Sequence, residues 1–296
     1  MKQTTKAHVA LIATNIFFAM NYTAVKTLFN GGFIKAFGLN IIRVAVTAAL
    51  LWVLYLFAPT KTKIKKEHYS RFVLCAIFGI ALNQLLFIKG LSLTYSIHAS
   101  LLILITPILI TIFAAWILKE KLTINKFIGL IFGISGALVL ILTKEKTGNP
   151  NDVLLGDILI LLNAISYSFY FILVKPLLKE YNPIMVLRII FTIGILLMLP
   201  FCWGQLVEIQ WQTYDIRAFI MLGSVTLLGT FCAYLFNIYG IKILGASIAG
   251  GYIYSQPFFA AAIAIAFLGE SINIYKIIAA VLIFTGVYLA NKKTNE

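Results

Sequence analysis

Long apolar runs limit the folds open to this sequence more than any other feature. The hydrocarbon core of a bilayer is about 30 Å thick, and about 20 mostly apolar helical residues are needed to cross it. Ten runs of suitable length are separated by short polar breaks, at 8–28, 37–57, 72–91, 98–118, 124–143, 153–174, 184–203, 216–239, 246–268 and 274–291. With 61% hydrophobic and 11% charged residues, the sequence predicts an all-α membrane protein with ten transmembrane helices.

The positive charge of the chain lies mainly in the breaks on one side of these runs. The formal net charge is +14. If the N-terminus is cytoplasmic and ten helices follow, the inner segments hold most of the lysines and arginines, including the cluster at 61–71. Because cytoplasmic loops carry an excess of Lys and Arg, both termini are predicted to be cytoplasmic, in a bacterial inner membrane. The predicted partner of this charge is the anionic face of a bilayer and not a nucleic acid.

The sequence gives no signal for a metal site or a cofactor. Cys75, Cys202 and Cys232 lie within or at the end of apolar runs, without paired spacing and without a neighbouring His or Asp. We interpret them as small core residues. The basic start and following apolar run resemble a signal peptide, but the run is too long and has no small-residue cleavage site. It is therefore predicted to remain as the first helix.

The chain repeats itself at a distance of 150 positions, as "ILKEKLTINKF" (117–127) and "FLGESINIYKI" (267–277) show. The matches that chance agreement between apolar helices would not supply are Pro107 with Pro257, Glu120 with Glu270, Lys126 with Lys276 and Gly136 with Gly286. The first part of each copy matches more loosely. We predict two five-helix units, residues 1–147 (helices 1–5) and 148–296 (helices 6–10).

An odd number of helices in each unit has a topological consequence. The second unit must enter the membrane from the opposite side, which gives an inverted repeat. Lys119 and Lys121 occur only in the first copy, whose loop is predicted to face the cytoplasm, and Gly269 and Ser271 replace them in the second. Inverted repeats are typical of secondary transporters, in which two half-structures alternate around a site near the membrane midplane.

Three stretches resemble the two EamA repeats of the drug/metabolite transporter superfamily. They are "NYTAVK" with Arg43 following, "SIHASLLILITPILITIFAAWILKEKLT" and its copy "ASIAGGYIYSQPFFAAAIAIAFLGESIN". The resemblance covers nearly the whole chain, and its most specific part is a Pro followed thirteen residues later by Glu in each half. It implies ten helices in two inverted repeats, a central cavity lined mainly by helices 1, 3, 4, 6, 8 and 9, and transport of small metabolites, often outward.

Polar side chains within the apolar runs are the best markers of a pathway, because they are costly unless they face a bundle interior or water. Helical spacing and the repeat register select the same faces of six helices. The predicted substrate-binding residues on these faces are Asn15, Tyr22, Gln84, His98, Thr106, Asn163, Tyr167, Tyr170, Tyr234, Asn237, Tyr252 and Gln256. Each of them could instead form hydrogen bonds that only hold the helices together.

His98 is the one group near the predicted cavity whose ordinary pKa allows titration at physiological pH. A lone His at a helix start can equally serve as a capping or interface residue. None of the acidic residues is predicted to lie in mid-membrane, and Asp157, near the outer end of helix 6, comes closest. A carboxylate proton relay is therefore not predicted.

Pro107 and Pro257 lie in the middle of helices 4 and 9. A proline frees the carbonyl four residues earlier, here at Ile103 and Ile253, and bends the helix. Gly250 and Gly251 precede Pro257 and would make helix 9 more deformable. We predict a hinge formed by Pro107, Gly250, Gly251 and Pro257, with close helix packing as the alternative reason for the glycines.

Four basic residues lie inside or at the ends of the predicted helices: Lys26, Arg43, Lys89 and Arg188. Long basic side chains near helix ends commonly extend to the headgroups, which is the default interpretation for all four. The alternative is that one of them binds the carboxylate or phosphate of a substrate. Arg43 and Arg188 occupy equivalent positions in the two halves, which favours a scaffold role.

These features together favour a secondary transporter, exporting a small polar metabolite such as an amino acid. A nucleotide-sugar or phosphate-ester carrier is the alternative; it would require cations in the cavity, which Lys89 is best placed to supply. An intramembrane enzyme is disfavoured, because the chain has no HExxH pair and no pair of membrane carboxylates. A scaffold is disfavoured by the short loops. The sequence leaves open whether two copies form a homodimer.

Overall fold

A computed structural model describes residues 3–57, 63–118, 124–142 and 152–291. Within them, ten helical segments occur at the positions of the ten apolar runs. They are α1 (Gln3–Asn30), α2 (Ala36–Leu56), α3 (Lys66–Leu93), α4 (Ser96–Leu102, Ile103–Ile105 and Thr106–Leu118), α5 (Ile124–Leu142), α6 (Val153–Glu180), α7 (Pro183–Val207), α8 (Ile216–Leu244), α9 (Ala246–Gly251, Tyr252–Ser255 and Gln256–Leu268) and α10 (Ile274–Asn291).

Seven of these segments have the length and composition needed to cross a membrane. They are α1, α2, α3, α6, α7, α8 and the Ile248–Leu268 part of α9. The described parts of α4, α5 and α10 contain shorter apolar helices, Ser96–Ile110, Phe127–Val139 and Ile274–Gly286. A multi-pass, all-helical membrane protein is thus confirmed in its general form, whereas ten crossings remain a prediction. Lys119, Glu120, Lys121 and the predicted boundary between 147 and 148 lie outside the described residues.

The two halves of the chain contact each other through equivalent helices. The segment α1 packs on α8 and α9, as α6 packs on α3 and α4. The segment α2 packs on α7, and α5 packs on α10, so each helix in these pairs meets its own counterpart. This reciprocal pattern is what a two-fold relation between two five-helix units would produce.

The two mid-helix prolines distort their helices in the same way. The backbone is 3-10 helical at Ile103–Ile105 and at Tyr252–Ser255, just before Pro107 and Pro257. The backbone N–H of Thr106 donates to the Ile103 carbonyl, and that of Gln256 donates to the Ile253 carbonyl. The prediction that the prolines would free these two carbonyls is confirmed, and a tighter turn satisfies them locally.

A second pair of distortions has no counterpart among the sequence predictions. The backbone is π-helical at Ile77–Ala81 in α3 and at Ser224–Cys232 in α8. Each segment contains a glycine at the equivalent repeat position, Gly79 and Gly229. A Cβ at Gly79 would lie 2.3 Å from the ring of Tyr170, and one at Gly229 would lie 2.5 Å from Asn21 Oδ1. The glycines therefore allow α3 and α8 to lie against α6 and α1.

The interface between α5 and α10 also depends on glycine. A Cβ at Gly286 would lie 2.5 Å from the Gly129 carbonyl oxygen and 2.7 Å from the Gly133 nitrogen. A Cβ at Gly136 would lie 2.8 Å from the Ala279 carbonyl oxygen. The backbones of the two helices are therefore in direct contact, as a small-residue motif permits in a membrane.

Candidate functional site

A cavity lined by polar, aromatic and aliphatic side chains lies at the junction of the two halves. Its lining residues are Phe18, Asn21, Tyr22, Arg43, Asn83, Gln84, Phe87, Ile103, Asn163, Tyr167, Tyr234, Ile253 and Gln256. They come from α1, α2, α3 and α4 of the first half and α6, α8 and α9 of the second. The cavity has a volume of about 60 Å³. In this conformation it holds a few waters at most.

Tyr234 connects α8 to α3 at the wall of the cavity. Its hydroxyl accepts a hydrogen bond from Gln84 Nε2 at 2.7 Å. The same hydroxyl lies 3.2 Å from Asn83 Oδ1 and 3.3 Å from the Gly79 carbonyl oxygen, to either of which it can donate. Two predicted site residues therefore meet across the halves, at the π-helical turn of α3.

Gln256 connects α9 to α1 in a similar way. Its Nε2 donates to Asn15 Oδ1 at 2.7 Å, and its Oε1 lies 3.4 Å from the hydroxyl of Tyr22. Asn15 itself does not line the cavity, since its Nδ2 donates to the Leu11 carbonyl of its own helix. Because Gln256 directly precedes Pro257, the position of its side chain depends on the distorted turn of α9.

Asparagines provide two further links between helices. Asn237 Nδ2 of α8 donates to the hydroxyl of Tyr167 in α6 at 2.6 Å. Asn163 Nδ2 of α6 donates to the Asn83 carbonyl of α3 at 2.7 Å. Tyr167 and Asn163 line the cavity, whereas Asn237 lies behind Tyr167 and holds its hydroxyl in place.

Arg43 of α2 is the charged member of the described cavity lining. Its side chain is 2% exposed, and its Nε donates to Thr230 Oγ1 at 2.9 Å. Its Nη1 has no hydrogen-bond partner within the described part of the chain. The default interpretation, in which Arg43 extends to the headgroups, is therefore wrong: Thr230 in the π-helical part of α8 turns the guanidinium inward.

The other basic residues occupy different surroundings. The guanidinium of Arg188 lies over the rings of Trp52 and Tyr55, at 4.2 and 3.6 Å from their centres, as in cation–π contacts. Lys89, which the sequence favoured as a cavity cation, is not among the lining residues, and neither is Lys26. Arg43 and Arg188 are thus equivalent in the sequence repeat but differ in what they contact.

His98 lies away from the cavity, in a buried pair with Asp157. Its Nδ1 is 3.1 Å from Asp157 Oδ2, and the two side chains are 1% and 0% exposed. Thr94 Oγ1 donates to the other carboxylate oxygen of Asp157. Asp157 lies near the end of α6, as predicted, and α6 packs against the start of α4 and buries its carboxylate.

The remaining predicted residues also lie outside the cavity lining. Tyr170 is buried against Gly79, and Thr106 is fully buried, with its carbonyl accepting from Ser168. The hydroxyl of Tyr252 lies 2.6 Å from His8 Nδ1. The structure therefore brings Tyr22, Gln84, Asn163, Tyr167, Tyr234 and Gln256 to the cavity, and it places Asn15, His98, Thr106, Tyr170, Asn237 and Tyr252 outside its described lining.

Glu270, the second copy of the repeated glutamate, caps α4. Its carboxylate accepts hydrogen bonds from the backbone N–H groups of Ser96 and Ile97, at 2.8 and 3.0 Å. A carboxylate stabilises a helix N-terminus by satisfying its free N–H groups. Beside it, Lys276 Nζ donates to the Ser271 carbonyl at 2.7 Å and lies over the ring of Tyr95. The repeated Glu and Lys thus hold the loop before α10 against the start of α4.

The predicted hinge glycines have free space around them. A Cβ at Gly251 would meet no atom of the described residues within 4 Å, and one at Gly250 would lie 3.7 Å from Ile110 Cδ1, an ordinary contact. Close helix packing, the alternative explanation for the two glycines, is therefore wrong for this conformation. The hinge itself stays a prediction.

A resident metal has no evident ligand set in the described residues, where no group of three or more His, Cys, Asp or Glu side chains comes together. Cys75 and Cys202 are buried as free thiols, and Cys232 is partly buried. What the cavity offers chemically is therefore hydrogen bonding, aromatic surface and one positive charge.

The sequence reasoning did not select Asn21, Asn83 or Arg43 for the cavity. Asn21 and Asn83 directly adjoin Tyr22 and Gln84, which were predicted to bind substrate. The predicted polar faces of these helices were therefore one position too narrow. Arg43 lies on α2, outside the six helices that the resemblance implied. The recurring Gly79 and Gly229, in the middle of apolar helices, were the available signal, because they mark where α3 and α8 approach the other half.

Comparisons with known proteins agree with this architecture. The profile of the EamA-like transporter family matches residues 5–142 and again 154–292. A solved crystal structure superposes with a TM-score of 0.62 at 16% identity, covering 94% of this chain and 96% of the other, which concerns the fold alone.

Curated relatives that cover most of this chain include two that are named as uncharacterized transporters. An uncharacterized transporter of Archaeoglobus fulgidus is 23% identical over 288 residues, covering 97% of this chain and 99% of the relative. The uncharacterized transporter YyaM of Bacillus subtilis is 25% identical over 252 residues, covering 84% and 82%. A WAT1-related protein of Arabidopsis thaliana is 25% identical, covering 96% and 85%. Two family matches that together span most of the chain establish that this protein is a member of the EamA-like transporter family and not an enzyme.

Proposed function

We propose that this protein is a secondary transporter that moves a small polar metabolite, such as an amino acid, by alternating access around the central cavity. One observation carries the proposal: a buried polar cavity is lined by side chains from both halves of the chain. Polar groups are retained inside a membrane bundle where they meet a substrate or an ion. A site between two repeats is where alternating access requires it.

The size of the cavity supports a change of conformation during transport. Its limited room means that a metabolite can enter only if α1 and α9, or α3 and α8, move apart. At the cavity, the links of Gln256 with Asn15 and of Tyr234 with Gln84 across the halves are polar. Such contacts can be exchanged for contacts with a substrate as the halves rotate.

Direction and orientation belong to the same proposal. We place both termini in the cytoplasm of a bacterial inner membrane, with ten crossings and an inverted second repeat, because the basic loops then face inward. We propose export because the resemblance to metabolite transporters of this superfamily implies outward movement.

We expect Gln256→Ala and Asn237→Ala each to lower the transport rate by about tenfold, the equivalent of about one buried hydrogen bond. Gln256→Ala removes the link from α9 to Asn15 and Tyr22, and Asn237→Ala releases the hydroxyl of Tyr167. The measurement is efflux from proteoliposomes loaded with a labelled metabolite that a screen of the wild-type protein identifies.

The matched controls are Gln212→Ala and Asn30→Ala, which change the same residue types at exposed positions. We expect both controls to transport as the wild type does. Thermal unfolding of each variant in detergent separates a loss of transport from a loss of folded protein. Unchanged transport in both cavity variants would remove these residues from the site.

We also propose that Gly250 and Gly251, with Pro107 and Pro257, form the hinge. A methyl group at Gly251 meets no atom within 4 Å in the part of the chain that the structure describes, so Gly251→Ala should leave the unfolding temperature unchanged or slightly raised. Transport should nevertheless slow, because alanine restricts the backbone of α9 during the conformational change. Transport at the wild-type rate in a folded Gly251→Ala protein would contradict the hinge.

A carrier of nucleotide sugars or phosphate esters is the second candidate. The observation in its favour is the buried Arg43 in the cavity, since a phosphate needs a cation. Against it, Arg43 is the single charged residue of the described lining, and a phosphate ester carries a charge close to −2 at neutral pH.

A further inference from the structure

The two ends of the helix bundle are closed by different polar contacts between the halves. Where α4 and α6 begin, His98 Nδ1 lies 3.1 Å from Asp157 Oδ2, and both side chains are buried. Where α1 and α9 begin, His8 Nδ1 lies 2.6 Å from the hydroxyl of Tyr252. Each contact joins a helix of the first half to a helix of the second. Each must therefore break when its end of the bundle opens during alternating access.

The charge of the buried pair at the α4–α6 end depends on a single proton. Thr94 Oγ1 donates to Asp157 Oδ1, so the other carboxylate oxygen is the one that faces His98. A carboxylate beside a neutral imidazole has a net negative charge, and one added proton makes the pair neutral. Burial of a net charge is costly, whereas a neutral hydrogen-bonded pair is tolerated. The closed end therefore favours the pair with the added proton.

The other charged and titratable groups described at this end surround the start of α4. Glu270 lies at the N-terminus of α4, and Lys26 of α1 is attracted to it. Lys276 lies over the ring of Tyr95, whose centre is 5.3 Å from that of the His98 ring. Of the residue types present here, only histidine ordinarily titrates near neutral pH.

From this arrangement we propose that the His98–Asp157 pair is a proton-binding site that controls the opening of the end at which α4 and α6 begin. The pair takes up one proton from water when this end closes and returns it to water when the end opens, because the hydrated pair no longer has to be neutral. The proposed topology places this end outside the cell, so external acidity holds it closed. The inference rests on the proposed alternating access and adds a regulatory ligand to it.

The opposite end shows that closure does not in general require a proton. There the hydroxyl of Tyr252 takes the place of a carboxylate beside His8, and that contact is neutral with an unprotonated imidazole. The carboxylate of Asp157 is thus what makes closure of the α4–α6 end depend on pH. His8 provides a matched control, since it is a histidine in a contact between the halves at the other end.

The size of the expected effect follows from proton linkage. A hydrated imidazole loses its proton near pH 6.5, so above this pH the closing of the end takes up as much as one proton. The ratio of closed to open protein then falls by up to about tenfold for each pH unit above about 6.5. At lower pH the hydrated imidazole keeps its proton, and the ratio levels off.

Hydrogen exchange of two backbone N–H groups can measure this ratio. The N–H groups of Ser96 and Ile97 lie at a helix N-terminus, without an intrahelical acceptor, and donate to Glu270, which follows α9. Because α4 and α9 belong to different halves, opening exposes these groups to water. In the full-length protein in nanodiscs, we expect their protection, corrected for the intrinsic pH dependence of exchange, to be about tenfold higher at pH 6.5 than at pH 8.

Variants of the pair assign the effect to it. Asp157→Asn makes the pair neutral without an added proton and should abolish the pH dependence. His98→Gln leaves a carboxylate that closure would bury with its charge, and it should give low protection at both pH values. His8→Gln should leave the pH dependence unchanged. The double variant His98→Gln/Asp157→Asn keeps two neutral hydrogen-bonding side chains, so it remains informative if a single variant does not fold, and it should be protected equally at both pH values.

Equal protection of the wild-type N–H groups at both pH values would overturn the inference. A pH dependence that persists in Asp157→Asn would also overturn it, since another group would then titrate, and so would one that is lost in His8→Gln. Counterflow in proteoliposomes separates this failure from that of the proposed function. Solute exchange together with pH-independent protection refutes only the proton site, whereas the absence of any solute exchange refutes transport itself.

Discussion

Replacement of Gly286 by alanine, and more strongly by leucine, is expected to force α5 and α10 apart and to lower the stability of the protein. A Cβ at this position would lie 2.5 and 2.7 Å from backbone atoms of Gly129 and Gly133. Backbone atoms in a helix cannot rotate away as a side chain can. Overpacking of this kind lowers the free energy of unfolding by about 1–3 kcal/mol or more. This loss exceeds the small gain that alanine provides through its higher helix propensity.

The unfolding temperature in detergent and the yield of monodisperse protein measure this effect. Gly223→Ala and Gly223→Leu are the matched controls, because Gly223 is a helical glycine whose Cβ would meet none of the described atoms within 4 Å. Gly223→Ala should leave the free energy of unfolding unchanged or raise it by up to about 1 kcal/mol. Equal unfolding temperatures in the Gly286 and Gly223 series would show that α5 and α10 are not in backbone contact.

The positions of the helices could be predicted from the sequence because membrane crossing imposes a length and a composition on each run. The distortions at Pro107 and Pro257 could be predicted too, since a missing N–H has the same consequence in any helix. In both cases a local chemical constraint determines the structure.

The direction of individual side chains could not be predicted in the same way. Arg43 turns into the cavity because a π-helical turn of α8 presents Thr230 to it, and nothing local to α2 indicates this. His98 and Asp157 meet only because α4 packs on α6. Such pairings depend on how each helix is rotated about its axis, which periodicity constrains only to within about one residue.

Lys119 and its counterpart Gly269 show how one sequence change can have two causes. The sequence suggested that the lysine is absent from the second copy because that loop faces outward. The structure adds a backbone reason: Gly269 ends α9 with a φ of +66°, a conformation that favours glycine. The replacement of lysine by glycine is therefore not by itself evidence for topology. The prediction of topology depends instead on the distribution of basic residues over all the loops.

His98→Ala is expected to have the largest effect among the charged positions. It leaves the fully buried carboxylate of Asp157 without the imidazole that lies 3.1 Å away. Removal of one partner leaves a buried hydrogen-bonding group of Asp157 unsatisfied, which lowers the free energy of unfolding by about 1–3 kcal/mol. His68→Ala is the matched control: it removes a hydrogen bond to the Tyr181 hydroxyl and contacts with Glu180 and the exposed Glu67, but it leaves no buried carboxylate unsatisfied and should cost less. The measurement is again the unfolding temperature in detergent.

A double-mutant cycle with Asp157→Asn distinguishes a structural pair from the substrate contact that the sequence predicted for His98. If the pair is structural, adding Asp157→Asn to His98→Ala removes the uncompensated charge and should restore about 1–3 kcal/mol of stability, and transport should recover with it. If His98 binds substrate, stability would recover while transport stayed low, because the lost contact is with the substrate and not with Asp157. Additive losses of stability would show that the two side chains do not interact.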